Sequence, residues 1–244
     1  MVEALRATLP QPVRDHLTSA RELVDRYTAT QPASTFPTTI DTFDALLPGG
    51  LQRGQMAELI GYRSSGRFST VVAILAAVTT RGETAALVDL GDGFAPRLAH
   101  AAGVVLERLL WVRPERLAQA LIATEILLAG GFPLVIIDLG VPPIPGGRGA
   151  EAAWLRLARA AQSHHAALLV ASPYRASGTA ASGVIQAARS HPCWSTAELD
   201  PPLLLGLSSQ LTLEKLRGRA GVRSGPLHLV TVEAATFGTL EQRP

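Results

Sequence analysis

The chain has 244 residues, of which 47% are hydrophobic and 17% charged, and its formal net charge is +2. This composition is typical of a globular protein with a sizeable core, and it excludes disordered and low-complexity proteins. The longest apolar stretch, residues 117–139, is interrupted by Gln119, Glu125 and a Gly-Gly-Phe-Pro turn, so we expect no membrane-spanning segment and no membrane partner. The first residues lack the pattern of a secretory signal, and we therefore expect a cytoplasmic protein.

The amino-terminal residues predict a separate helical arm. Apolar residues recur at steps of three and four over residues 11–28, which is the spacing of one helix face. Residues 29–37 are rich in Thr, Pro and Ser and predict a linker. We therefore assign residues 1–28 to an amphipathic arm whose apolar face is a candidate partner-binding or self-association surface, with Val13, Leu17 and Val24 as its candidate contacts. Packing of this face on the chain's own core is the alternative.

From Thr38 onward, short apolar runs alternate with helical patterns. We expect strands at 55–60, 84–90, 109–113, 133–139 and 167–172, with helices at 67–80, 95–102, 115–129 and 150–163 between them. This alternation predicts an α/β fold in which a mostly parallel, twisted sheet is flanked by helices. Two further strands, 203–216 and 226–232, predict an antiparallel hairpin that closes the sheet near the carboxyl terminus. The predicted domain is 38–235, followed by a tail at 236–244.

The segment between the first strand and the first helix has the position of a phosphate-binding loop. It runs Gly61-Tyr62-Arg63-Ser64-Ser65-Gly66, and glycines bound it at both ends. A working loop continues with a lysine for the terminal phosphates and a hydroxyl for Mg²⁺, whereas this chain has Arg67 and Phe68. Three interpretations of the segment are open. It is a plain strand-to-helix turn, which we favour, or it binds phosphate without hydrolysis, or it is a hydrolytic site.

Metal chemistry has little support in the sequence. Cys193 is the only cysteine, which excludes an intramolecular disulfide and a thiolate-rich metal site. His164 and His165 are neighbours on a predicted helix and cannot share a face. We predict no metal ion and no cofactor.

The order and spacing of these elements resemble the RecA recombinase core. Residues 38–54, the Gly61–Gly66 loop and the later strands carry the resemblance over roughly residues 38–232. The Leu47-Pro48-Gly49-Gly50 element together with the altered loop is most similar to the ImuA family, which comprises RecA-like partners of mutagenic translesion polymerases. That family is also described as related to the SulA cell-division inhibitors. The resemblance implies a RecA-like core.

The resemblance also implies that three functional side chains of RecA are missing. The Mg²⁺-binding hydroxyl falls on Phe68, the glutamate that activates water falls on Gly91, and the γ-phosphate-sensing glutamine falls on Pro173. The aspartate that ends the central strand is retained as Asp138. We therefore predict a pseudo-ATPase that is not an enzyme, with a vestigial phosphate site formed by Gly61, Ser64, Ser65, Gly66, Arg67 and Asp138.

Basic residues are sparse where the resemblance places the two DNA-binding loops, at 140–149 and 176–202. Trp194 is the one candidate for base stacking there, although packing over an apolar edge is the preferred role for its ring. The densest positive segment lies at the predicted hairpin tip and is a candidate site for nucleic acid or a partner, with a solvated turn as the alternative. Its cations are Lys215, Arg217, Arg219 and Arg223.

Three functional hypotheses follow. The first is a non-catalytic scaffold in DNA damage tolerance, associated with the SOS response, that binds an ImuB-like translesion polymerase subunit and also RecA. Weak DNA binding and self-association are secondary expectations. The second is a SulA-like inhibitor of cell division, and the third is an atypical, weak ATPase that binds DNA and uses Arg67 and Asp92.

Overall fold

The computed structural model describes residues 34–140, 150–195, 202–218 and 221–231. Its strands are β1 (Thr35–Phe36), β2 (Leu51–Gln52), β3 (Met56–Ile60), β4 (Ala85–Asp89), β5 (Leu109–Val112), β6 (Leu134–Asp138), β7 (Ala167–Ser172), β8 (Gly183–Ala187), β9 (His191–Trp194), β10 (Leu204–Leu216) and β11 (Arg223–Val230). Its helices are α1 (Asp41–Leu46), α2 (Arg67–Thr80), α3 (Pro96–Ala101), α4 (Leu117–Ala129) and α5 (Glu151–Ser163), with a 3-10 turn at Leu106–Arg108.

Most of the strands form one mixed sheet in the order β11-β10-β8-β3-β7-β6-β4-β5. The six strands from β8 to β5 are parallel, whereas β10 runs antiparallel to β8, β9 and β11. This arrangement confirms the predicted α/β fold with a mostly parallel sheet closed by antiparallel strands. The strand Thr35–Phe36 lies within the range assigned to the linker and pairs with β2.

Burial explains why the central strands are apolar at nearly every position. All residues of β3, β4, β6 and β7 are buried, because the sheet is covered on both faces. Two apolar clusters result, one containing residues of α1 and α2 and the other residues of α4 and α5. The polar residues that end these strands, Asp89, Asp138 and Ser172, are also buried and meet at one edge of the sheet.

Residues 176–202 do not form one long loop, which corrects the expectation of a second DNA-binding loop there. Residues 173–182 cross back along the sheet, and the chain then enters β8 and β9, which both pair with β10. Short apolar runs such as 183–187 carry no clear period, which is why the sequence did not indicate a strand. Trp194 ends β9 opposite Leu204 of β10, with 56% of its surface exposed.

Candidate functional site

The loop between β3 and α2 folds as a tight, glycine-dependent turn. Ser65 Oγ lies 2.3 Å from where a Cβ on Gly61 would stand, so position 61 has no room for a side chain. The same hydroxyl accepts a hydrogen bond from the Arg67 amide at 3.3 Å. Gly66 directly precedes α2 and has a φ of +83°, in the left-handed region that favours glycine. The local sequence therefore forms a tight strand-to-helix turn at the position predicted for a phosphate-binding loop.

The Arg67 side chain is turned into the protein and bonded to backbone. Its Nη1 donates to the Gly61 carbonyl at 2.6 Å, and its Nη2 donates to the Gly140 carbonyl at 2.8 Å. The guanidinium thus links the start of the loop to the segment after β6, and only 8% of the residue is exposed. A planar fork suits two carbonyls at once, which a lysine ammonium could not bridge in the same way.

Asp138 completes this buried link. Its Oδ1 lies 3.4 Å from Arg67 Nη2, and its Oδ2 accepts the Gly140 amide at 3.2 Å. Burial raises the pKa of Asp138 to about 6, against the opposing effect of the Arg67 charge, and the neighbouring carboxylate of Asp89 adds to the rise. Burial also lowers the pKa of Arg67. Arg67 Nε and Asp138 Oδ1 are buried without a hydrogen-bond partner, so the pair is imperfectly satisfied.

Gly91, the position where the RecA resemblance places the catalytic glutamate, has no space for a side chain. A Cβ on Gly91 would stand 2.4 Å from Gly140 Cα and 3.2 Å from Asp138 Oδ2. The segments after β4 and β6 therefore meet at their glycines. Phe68, at the position of the metal-binding hydroxyl, is half-buried against the apolar core, and its ring lies 3.9 Å from a Cβ built on Gly93.

Asp92 is oriented by Arg113, which directly follows β5, rather than by the phosphate-type loop. Arg113 Nε and Nη2 donate to its two carboxylate oxygens at 2.7 and 2.8 Å, and these hydrogen bonds lower the pKa of Asp92. The buried residue at this corner is Asp89, which accepts the amides of Gly93 and Phe94. Asp92 is thus an exposed ion-pair partner of Arg113.

Sequence reasoning missed a buried glutamate in the middle of β3. Glu58 accepts the Ala176 amide at 2.5 Å and the Ser177 amide at 3.2 Å, and it also accepts the Ser177 hydroxyl. These bonds fix residues 173–182, which we call the strap, against the sheet directly after Pro173. An acidic residue inside an otherwise apolar strand was the available signal, because such a charge is buried only where donors converge on it.

The basic hairpin tip and the phosphate-loop position lie at opposite ends of the sheet. Lys215 pairs with Val184 near the start of β8, whereas the loop follows the end of β3. Lys215 Nζ donates to the Ala181 carbonyl at 2.7 Å and to the Thr179 carbonyl at 3.3 Å, so it holds the far end of the strap. Arg217 follows β10 and Arg223 begins β11. Arg219 and the arm residues Val13, Leu17 and Val24 lie outside the described residues.

Within the described ranges, no group of three or more His, Cys, Asp or Glu side chains is placed to hold a metal ion. In the same ranges, no helix combines the length and the hydropathy needed to cross a membrane.

The geometry above is that of a RecA-type α/β core with a phosphate-loop position at the carboxyl edge of its sheet. A RadB recombinase crystal structure is similar in fold, with a TM-score of 0.60 and 17% sequence identity, covering 79% of this chain and 94% of that one. The RecA N-terminal domain model matches residues 22–146, just over half of the chain. The chain therefore belongs to the RecA N-terminal domain family.

Individual relatives agree with this assignment. The chain is 36% identical to Protein RecA of Chlorobium limicola over 116 residues, which cover 47% of this chain and 33% of that protein. It is 37% identical to Protein RecA of Caulobacter vibrioides over 95 residues, which cover 38% of this chain and 27% of that protein. The matched segment thus spans about a third or less of the length of these relatives.

Proposed function

We propose that this chain is a non-catalytic RecA-like scaffold in DNA damage tolerance, whose partner is a Y-family-like translesion polymerase subunit. The observation that carries the proposal is the buried Arg67 guanidinium, which is bonded to the Gly61 and Gly140 carbonyls. In this position the cation is engaged with the protein itself. A nucleotide phosphate would have to displace two charge-assisted hydrogen bonds and an ion pair to reach it.

The remaining chemistry of hydrolysis is also absent from the expected positions. Phe68 supplies no metal-binding oxygen, Gly91 supplies no base, and Pro173 supplies no side-chain amide. Restoring one of these groups would leave the others missing, because metal binding, activation of water and contact with the γ-phosphate are separate contributions to the same phosphoryl-transfer step. This combination supports a fold that is kept for binding rather than for turnover.

The strap also supports the proposal, because its composition argues against binding of DNA. A short segment held by Glu58 and Lys215 stands where the RecA resemblance places a loop that contacts DNA. Its described residues include a single exposed arginine, Arg175, which lies 3.9 Å from the Glu214 carboxylate. A groove that tracks a nucleic-acid backbone needs more cations than this. We therefore place protein partners, the polymerase first and RecA second, ahead of DNA.

The polymerase assignment rests on the similarity to the ImuA family. Its test is binding between the purified full chain and the Y-family polymerase encoded in the same genome, measured together with ATP binding and phosphate release in Mg²⁺. We expect polymerase binding, no ATP turnover, and unchanged polymerase binding by Arg67→Ala at temperatures where that variant is folded. Absence of polymerase binding, or turnover that Asp138→Asn abolishes, would overturn the proposal. Cell filamentation on overexpression without DNA damage would favour the SulA-like alternative instead.

A further inference from the structure

The phosphate-type loop is joined by hydrogen bonds to the residue that precedes β9. Ser190, which lies between β8 and β9, donates its amide to the Ser64 carbonyl at 2.9 Å, and its hydroxyl donates to the same oxygen. β8 and β9 both run along β10, so β9 continues the line of β8 beyond the point where β3 ends. The loop therefore lies beside the outer edge of β9.

Five side chains are exposed around this junction, which we call the loop–edge surface. Tyr62 has 71% of its surface exposed and Trp194 56%, although large aromatic rings are usually buried. Tryptophan, tyrosine and arginine are the residues that most often dominate the binding energy of protein interfaces. The loop–edge surface consists of Tyr62, Arg63, Arg189, His191 and Trp194, and His191 and Trp194 lie on opposite faces of the sheet at the edge formed by β9.

Among the described residues, the charge around the loop–edge surface has one sign, whereas Glu198 and Asp200 lie further along the sequence after β9. Residues 61–69, 186–195 and 202–213 contain no aspartate or glutamate, whereas Arg63 and Arg189 are both exposed. The loop–edge surface is thus complementary to a partner that carries carboxylates. Exposed apolar side chains continue it along the neighbouring strands, at Leu203, Leu204 and Val230.

The outer edge of β9 also offers backbone groups to a partner. Ser195 donates its amide to the Leu203 carbonyl, so the next pair along the strands, Trp194 and Leu204, is a non-hydrogen-bonded pair. The backbone amide and carbonyl of Trp194 therefore point away from β10. An extended peptide segment could bond to these groups, as in strand addition to a sheet edge. Pro192 and the four-residue length of β9 restrict such pairing to a short segment, which protects the edge from aggregation.

The geometry points to a docking site for an extended, acidic segment of a partner protein on the loop–edge surface. This inference rests on the proposed scaffold function, since it says where the polymerase or a similar partner binds. A protein segment fits better than single-stranded nucleic acid because two arginines are few for a phosphate backbone, while the Trp194 amide and carbonyl, which point away from β10, match a peptide backbone.

The test compares charge-matched variants of the full chain. Arg63→Glu with Arg189→Glu, and separately Trp194→Ser, change the loop–edge surface. Their controls are Arg97→Glu with Arg159→Glu, which reverse two exposed arginines elsewhere, and Leu98→Ser, which removes a side chain that is 70% exposed on α3. All of the substituted positions are exposed. The melting temperature of each variant is first compared with that of the unmodified chain.

The probes are the full-length Y-family polymerase of the same genome, short overlapping peptides that cover its sequence, and oligo-dT. We expect polymerase affinity to fall roughly tenfold or more in both loop–edge variants and in neither control, with an acidic peptide competing for the site. Equal affinity in all variants would overturn the site and leave the scaffold proposal intact. If oligo-dT competes with the polymerase, or if none of the peptides does, the proposed occupant, an acidic peptide segment, is wrong. If the unmodified chain fails to bind the polymerase, the scaffold proposal fails and this inference with it.

Discussion

Arg67 and Asp138 form a buried pair at the site where a RecA-type fold holds phosphates, with Nη2 and Oδ1 3.4 Å apart. The pair is closed in by the chain's own backbone, because the guanidinium also binds the carbonyls of Gly61 and Gly140. An ion pair of this kind stabilises a structure only as far as its attraction exceeds the loss of hydration of both charges. The raised pKa of Asp138 indicates that the loss of hydration outweighs the attraction for the carboxylate.

The pair gives the first prediction, a pH dependence of stability. Asp138 has a pKa of about 6 in the folded chain against an ordinary value of 3.8, so the folded state binds more protons between these values. Its contribution to stability is present below pH 4 and is lost as the pH rises through 6. In urea denaturation, we expect the unfolding free energy of the unmodified chain, relative to Asp138→Asn, to fall by roughly 2 to 3 kcal/mol between pH 4 and pH 7. A rise over the same range would show that attraction to Arg67 dominates instead.

The contact between Gly91 and Gly140 gives the second prediction. A Cβ on Gly91 would stand 2.4 Å from Gly140 Cα, whereas a Cβ on Gly93 would have its nearest neighbour at 3.9 Å. We expect Gly91→Ala to lower the unfolding free energy by about 1 to 3 kcal/mol, because one of the two segments must move. The control Gly93→Ala should change it by only about 0.5 kcal/mol. Equal effects in the two variants would contradict the close approach.

The third prediction concerns restoration of the loop chemistry. Arg67→Lys with Phe68→Thr recreates the lysine and hydroxyl of a working phosphate loop. We expect no phosphate release above background, because Gly91 still supplies no base and Pro173 no side-chain amide. Phosphate release measured with and without Mg²⁺ is the readout. Turnover by this double variant that a further Asp138→Asn change removes would show that the site needs only two substitutions to work.

The strap gives the fourth prediction. Ser177 donates both its amide and its hydroxyl to the buried Glu58 carboxylate, so removal of the hydroxyl leaves an acceptor poorly satisfied. We expect Ser177→Ala to lower the unfolding free energy by about 1 to 3 kcal/mol. Thr179→Ala is the matched control, since Thr179 lies in the same strap and is exposed. A negligible effect of Ser177→Ala would mean that the strap is held by other contacts.

The sequence predicted the sheet better than it predicted the site, and the reason is physical. Strands such as β6 are buried on both faces, so their composition reveals them without any knowledge of the partners. The helix α2 begins and ends where its pattern indicates, at Arg67 and Thr80. The direction of the Arg67 side chain depends on carbonyls separated from it by up to 73 positions, and no local pattern contains that information. The same holds for Glu58, whose donors lie 118 and 119 positions away.

The last prediction concerns the arm, which lies outside the described residues. The apolar stripe that includes Val13, Leu17 and Val24 has the spacing of a helix that packs into a groove. By resemblance to RecA, whose amino-terminal helix docks on the next subunit, we expect this arm to contact a second copy or a RecA-type partner.

The variant that tests the arm is Leu17→Asp with Val24→Asp. We expect it to abolish self-association or partner binding, measured by sedimentation and by binding to RecA, while the melting temperature of the monomer stays within a few degrees. The reason is that a helix docked on another molecule contributes little to the stability of its own core. The control is Arg14→Ala with Arg21→Ala, which changes two charged residues of the same predicted helix outside its apolar stripe. A fall in melting temperature of many degrees, with binding lost only in proportion to unfolding, would show that the helix packs on its own domain.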